Sequence, residues 1–196
     1  MKVLFVTPKV GSWATHGHHV APNQMHASWA AYARQQGTIE PEVLDCKVLD
    51  IPPDKMLEIV KAKAPEVVVM GDVLHSYGGF AVQKHFNDSA IAIKKVLPSV
   101  KIVVGGLWYS YFGKETLEKN SAIDFVVMGE GEITFSELMD AMNKGQTDFS
   151  HIAGLSSRLN GSVVFGPVRP PIRDLDILPV PAYDLFPMDK YVGHTY

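Results

Sequence analysis

Apolar residues fall into short unbroken runs, and between the runs they recur at helical spacing. Lys2 to Val6, Glu42 to Cys46, Glu66 to Met70, Lys101 to Val104 and Phe125 to Met128 each read as a strand. Glu66 to Met70 and Phe125 to Met128 show no polar alternation, so both faces must be covered, as in a parallel sheet under helices. Met25, Trp29, Tyr32 and Ala33 share one face of a helix that starts near Asn23 and stops at Gly37. Pro52, Pro53 and Asp54 open a second helix carrying Met56, Leu57, Ile59 and Val60, which Pro65 closes. Phe80 to Leu97, a short piece from Gly113 to Lys119, and Thr134 to Asn143 are the remaining helices. Five strand-helix alternations predict an α/β fold, a Rossmann-like doubly wound five-stranded parallel sheet ending near residue 145.

After that point the pattern changes. Gly154 to Val164 reads as a β-hairpin turning at Asn160-Gly161. The stretch from 166 to 187 contains Pro170, Pro171, Pro179, Pro181 and Pro187 and is short of backbone donors, so it is expected to be an extended connector. The predicted division is a domain over 1–145, followed by a hairpin and linker over 146–196.

A chain of 196 residues with 46% hydrophobic content can bury a substantial core. The net charge of -3 and the lack of a basic cluster argue against nucleic acid as the main partner. Cys46 is the single cysteine, which excludes a disulfide framework and a multi-cysteine metal site within these residues. The N-terminal run is too short and regular for a signal peptide, and no apolar run nears the roughly 20 residues that span a bilayer. A soluble, cytoplasmic protein without membrane contact is the expectation.

Candidate chemistry concentrates where strands run into glycines. Lys101-Ile-Val-Val leads into Gly105-Gly106-Leu107-Trp108, and Phe125-Val-Val-Met leads into Gly129-Glu130-Gly131-Glu132. Bare backbone at two neighbouring strand exits suits a flat or bulky ligand lying across the top of one sheet. Glu130 and Glu132 suit the positive end of the following helix better than acid-base catalysis. Thr7-Pro8-Lys9-Val10-Gly11 lacks the Gly-x-Gly-x-x-Gly spacing of a dinucleotide fingerprint, and no P-loop occurs. Asp72 alone falls short of a phospho-receiver's cluster of aspartates. Trp108 and Tyr109 leave open flavodoxin-like binding of FMN, because they could stack on a flavin. His16, His18 and His19 read as a solvated loop, or as a cover over a bound ligand.

The ordered set Pro65-Glu-Val-Val-Val, Ile102-Val-Val-Gly-Gly106, Asp124-Phe-Val-Val-Met-Gly-Glu-Gly-Glu-Ile-Thr-Phe-Ser-Glu-Leu138, Ile152-Ala-Gly-Leu155 and Arg173-Asp-Leu-Asp-Ile-Leu-Pro-Val-Pro-Ala-Tyr-Asp184 resembles the N-terminal half of cobalamin-binding radical SAM enzymes. Met1-Lys-Val-Leu-Phe-Val and Asp50 to Ile59 are similar to the anaerobic magnesium-protoporphyrin IX monomethyl ester cyclase branch. The resemblance implies a cobalamin held over the carboxyl edge of the sheet, with its nucleotide tail beside the core. It implies that Gly105 and Gly106, with Leu107 and Trp108 behind them, line the tail, and that Gly129, Glu130, Gly131 and Glu132 line the corrin side. Thr7, Pro8, Lys9, Val10 and Gly11, with Gly71, Asp72, Val73, Leu74 and His75, would frame the macrocycle. Two departures stand out. Gly71, Leu74 and His75 occupy the positions where the family commonly has a serine and a threonine, and the Asp-x-His-x-x-Gly lower-ligand signature is absent from the first loop. Asp72-x-x-His75-x-x-Gly78 imitates that signature with one residue too many, so His75 is a cobalt ligand, a corrin contact or an ordinary polar residue.

The family's 4Fe-4S cluster and S-adenosylmethionine need a Cys-x-x-x-Cys-x-x-Cys motif, which does not occur here. The resemblance therefore implies a corrinoid-binding piece truncated before a radical SAM domain that would follow in cis. Alone it is expected to bind cobalamin without turnover; in the intact enzyme the reaction would be methyl transfer or oxidative cyclisation. An FMN-binding electron carrier and a non-catalytic interaction module are the rival expectations.

Overall fold

The computed structural model describes residues 1–9, 21–72 and 79–191, with the side chains of 72 and 79–82 excepted. Strands β1 (Lys2–Thr7), β2 (Glu40–Asp45), β3 (Val67–Asp72), β4 (Lys101–Gly106) and β5 (Phe125–Val127) are parallel, in the order 2-1-3-4-5. Helices α1 (Gln24–Gln35), α2 (Pro53–Lys63), α3 (Gly79–Val96), α4 (Leu107–Lys119) and α5 (Glu132–Asn143) alternate with them. The doubly wound reading of the sequence is correct.

Alternation along each strand divides the core. Val3, Phe5, Val67, Val69, Val103, Phe125 and Val127 point to the side covered by α1 and α5. Leu4, Val6, Val68, Met70, Ile102, Val104 and Val126 point to the side covered by α2, α3 and α4. Unbroken valine runs are what a sheet buried on both faces requires. The strand order reverses between β1 and β3, where a doubly wound sheet opens its crevice at the carboxyl edge.

Two features go beyond the sequence reading. The hairpin of β6 (Leu155–Leu159) and β7 (Ser162–Phe165) is continuous with the sheet, β6 lying antiparallel to β5, so the sheet has seven strands. Asn160 and Gly161 make the two-residue turn with φ of 51° and 81°, as an Asn-Gly hairpin requires. Arg158 on β6 donates to the carbonyls of Leu117, Asn120 and Ile123 and thereby caps the end of α4.

The second is α4, which begins at Leu107 rather than at Gly113. Gly106 has φ of 105°, which lets the chain pass from strand into helix with no loop. A kink at Phe112 (φ -117°, ψ 29°) separates this first turn from the helix that the sequence pattern predicts.

The proline-rich stretch is extended, with single 3-10 turns at Leu175–Ile177 and Tyr183–Leu185 and a short helix α6 (Met188–Tyr191). It touches the domain at both ends, while 173–177 are exposed. Ala182 and Phe186 are buried, and Tyr191 donates to Asp45 Oδ2 at 2.7 Å on the edge strand β2. Among the described residues no helix is long and apolar enough to cross a membrane.

Candidate functional site

The carboxyl edge of the sheet is organised by Asn23, by Thr7 with His26, and by Ser110. Asn23 caps α1, its Oδ1 accepting from His26 N at 3.2 Å, while its Nδ2 donates to Gly71 O at 2.7 Å. One side chain thus ties the start of α1 to the end of β3. Beside it, Thr7 Oγ1 lies 3.4 Å from Nδ1 of the fully buried His26. On the other side, Ser110 in the first turn of α4 donates to Gly106 O at 2.9 Å and accepts from Gly129 N at 2.9 Å. Ser110 therefore fixes the two glycine exits of β4 and β5 to each other.

Between the starts of α1 and α5 a cavity of about 460 Å³ opens, lined by Gln24, Met25, Ser28 and Trp29, by Gly106 and Gly129 to Glu132, and by Pro181 and Tyr183. Its size and its mixture of apolar walls with a few polar groups are those of a small-molecule site. Ser28 donates to Glu132 Oε1 at 2.8 Å across the base of the two helices. Glu130 Oε2 accepts from Ile172 N at 2.5 Å. Both carboxylates are thus hydrogen-bonded where helix dipoles favour negative charge, and neither is aimed at an acid-base task.

Of the residues expected at the site, Gly106, Gly129, Glu130, Gly131 and Glu132 come together on this one cavity. Thr7, Pro8 and Gly71 sit at the neighbouring strand ends, Gly71 and Asp72 being the last residues of β3 rather than loop. Lys9 turns away to pair with Asp50 at 2.6 Å. Leu107 and Trp108 belong to the first turn of α4, where Trp108 packs on Phe112 with centroids 4.5 Å apart, and neither lines the cavity. Val10, Gly11, Val73, Leu74 and His75, with His16, His18 and His19, lie outside the described residues.

Gly105 has a different role from the one its position suggests. A Cβ built there would stand 2.2 Å from Trp29 Cη2, and one at Gly131 would stand 2.0 Å from Trp29 Cζ2. The missing side chains at both positions make room for the indole of Trp29, which is buried and stacks on Phe135 at 5.3 Å. Trp29 forms the floor of the cavity and the two glycines seat it. Gly129 faces open space instead, with nothing within 4 Å of a Cβ there. Sequence reasoning missed Gln24, Met25, Ser28, Pro181 and Tyr183; the available signal was that α1 follows β1, so its first turns must stand at the same edge as the glycine exits.

A second cavity of about 390 Å³ lies at the opposite edge of the sheet, lined by Lys101, Asp124, Phe125, Met142 and Arg158 among others. Its charged groups are already engaged: Asp124 Oδ2 accepts from Lys94 Nζ and Ile102 N, both at 2.8 Å, Lys101 pairs with Asp124 at 3.6 Å, and Arg158 is spent on carbonyls at the end of α4 and beyond it. It sits at the amino ends of the strands, where doubly wound sheets do not bind ligands.

Residues 19–139 match the profile of the B12 binding domain. An uncharacterized methyltransferase of Pyrococcus horikoshii is 33% identical over 193 residues, covering 97% of this chain and 40% of the relative. The anaerobic magnesium-protoporphyrin IX monomethyl ester cyclase of Rubrivivax gelatinosus is 27% identical over 195 residues, covering 98% of this chain and 34% of the relative. The chain thus spans well under half the length of either. Among solved structures, the cobalamin-dependent S-adenosylmethionine radical enzyme OxsB with aqua-cobalamin bound superposes with a TM-score of 0.74 at 17% identity, over 98% of this chain and 25% of that one. At that identity the likeness speaks for the fold.

Proposed function

The chain belongs to the B12-binding domain family, and from that premise we propose that its carboxyl-edge crevice holds cobalamin, with the nucleotide tail entering the cavity between α1 and α5. The observation that carries this reading is the cavity itself. It is open toward the strand exits, floored by an indole and walled by Met25, Pro181 and Tyr183, with Gly106 at its lining and the backbone of Gly129 exposed. A nucleotide tail offers a flat apolar base and a polar sugar phosphate, and corrin edges carry amides that bond to bare backbone groups without a charged clamp. The residues present fit such a group.

Bound cobalamin supplies a cobalt centre able to accept and donate a methyl group or electrons. The residues of this chain bind and orient. Ser110 holds the glycine exits together, Asn23 holds α1 to β3, and Trp29 limits the depth of the cavity. Residues 1–145 form the cofactor-binding unit in this reading, and 146–196 carry the chain toward a radical SAM domain in cis. That domain would hold the 4Fe-4S cluster and S-adenosylmethionine, and methyl transfer or oxidative cyclisation would be the joint activity, in keeping with the names of the relatives.

Titration of the purified chain with hydroxocobalamin, followed by visible absorbance after gel filtration, tests the reading. Retention of one corrinoid per chain, with no retention of FMN under the same conditions, is expected. Passage of hydroxocobalamin through the column unbound overturns it.

A further inference from the structure

The proline-rich stretch is fastened on both sides of the cavity. On the α5 side, Gly154 N donates to Pro167 O at 2.8 Å, Arg169 Nε donates to Thr134 Oγ1 at 2.6 Å, and the Arg169 guanidinium pairs with Glu137. Ile172 N then donates to Glu130, a residue of the cavity rim. On the α1 side, Ala182 N donates to Ala27 O at 3.0 Å, and Arg34 meets Asp184 with two bonds, at 2.7 and 3.1 Å. Buried Ala182 and Phe186 anchor the α1 end of the segment, and Pro181 and Tyr183 line the cavity. A connector between domains needs none of these attachments, and a free one would lose them to chain entropy.

We infer that residues 169–186 are a strap forming the outer wall of the nucleotide-tail cavity, with Tyr183 as a direct contact to the tail. This rests on the cobalamin reading above. The strap closes a side that the sheet and the two helices leave open, and it brings Tyr183 to the same cavity as Trp29. An aromatic wall suits the flat base of a nucleotide better than the amide-fringed edge of the corrin ring.

The inference is tested with cobalamin and with cobinamide, the corrinoid that lacks the nucleotide tail, on the full chain. Tyr183→Ala should weaken cobalamin about tenfold and leave cobinamide unchanged, the loss of one aromatic contact. Arg34→Glu sets a carboxylate against Asp184 and should speed cobalamin release by about tenfold, with recovery in the Arg34→Glu/Asp184→Arg double variant. Equal losses for both corrinoids, or unchanged affinity in Tyr183→Ala, overturn the wall. So does an unchanged release rate in Arg34→Glu. A wild-type chain that binds cobinamide and cobalamin equally well overturns the tail cavity while leaving corrinoid binding intact; one that binds neither overturns the functional reading and the strap with it.

Discussion

Asn23 Nδ2 donates to Gly71 O at 2.7 Å, and this one bond joins the start of α1 to the end of β3 across the point where the strand order reverses. The same side chain caps α1 through His26 N. Asn23→Ala removes both bonds from a buried place and should cost about 2 kcal/mol in urea unfolding. Asn23→Asp keeps the cap, which a helix start favours, but turns a carboxylate oxygen toward a carbonyl. It should be no more stable than the alanine variant. An Asn23→Asp variant as stable as wild type would show that the cap alone matters.

Trp29 and Gly131 are a matched pair, since a Cβ at 131 would stand 2.0 Å from the indole. Gly131→Ala should destabilise by about 1–3 kcal/mol through overpacking. Trp29→Ala should cost about 3–5 kcal/mol through the cavity it leaves. The double variant should be less damaged than the sum by about 1 kcal/mol or more, because the added methyl group enters space the indole has left. Strict additivity in a double-mutant cycle would refute the seating.

Much of the fold was legible because its evidence is local. Valine runs give the strands, Asn160-Gly161 gives the hairpin, and Pro65 and Gly37 give helix ends. The start of α4 was not legible. Leu107, Tyr111 and Phe112 are exposed while Tyr109 is buried, so apolar residues fall all round the first turn and mark no single face, and Ser110 adds a bond to Gly106 O. Helical spacing places Trp29 in the core, where it lies, but its partners Gly105 and Gly131 come from β4 and the start of α5, far along the chain. Glycine at a strand exit signals close approach; it does not say whether a ligand or an indole approaches. In the same way, a lack of backbone donors excludes sheet and helix between 166 and 187 without saying which surface the extended chain lies on. Half of the site was thus readable from glycine spacing, and the half supplied by α1 and the strap required coordinates.

Burial sets an alkaline limit on stability. Cys46 is inaccessible, and burial first, then the charge of Asp45, pushes its thiol from 9.0 up to about 12. Burial also raises the Tyr109 phenol, and burial with the bond to Asp45 raises that of Tyr191. Each group holds its proton more tightly folded than unfolded, so its contribution is complete below the unfolded value and is lost as pH climbs above it. Stability should therefore fall above about pH 9, the slope from each such group approaching about 1.4 kcal/mol per pH unit. Urea unfolding at several alkaline pH values measures this, and Cys46→Ala should flatten the first part of the decline. An equally steep decline in the alanine variant would remove the thiol from the account.

Ser110 separates stability from binding. Its hydroxyl donates to Gly106 O and accepts from Gly129 N, both at 2.9 Å, and both glycines line the cavity. Gly129 is exposed, so water can replace the hydroxyl there in Ser110→Ala, and buried Gly106, as the N-cap of α4, still offers its carbonyl to the helix, so the cost should stay near 1 kcal/mol. What is lost is the fixed spacing between the β4 and β5 exits, which a rigid ligand needs in advance of binding. Hydroxocobalamin affinity should therefore fall by about fivefold or more while the urea midpoint moves little. Ser110→Thr keeps a hydroxyl able to make both bonds and should restore most of the affinity. If alanine at 110 lowers stability and affinity together, and threonine rescues neither, Ser110 acts as ordinary packing and the two glycine exits need no tie.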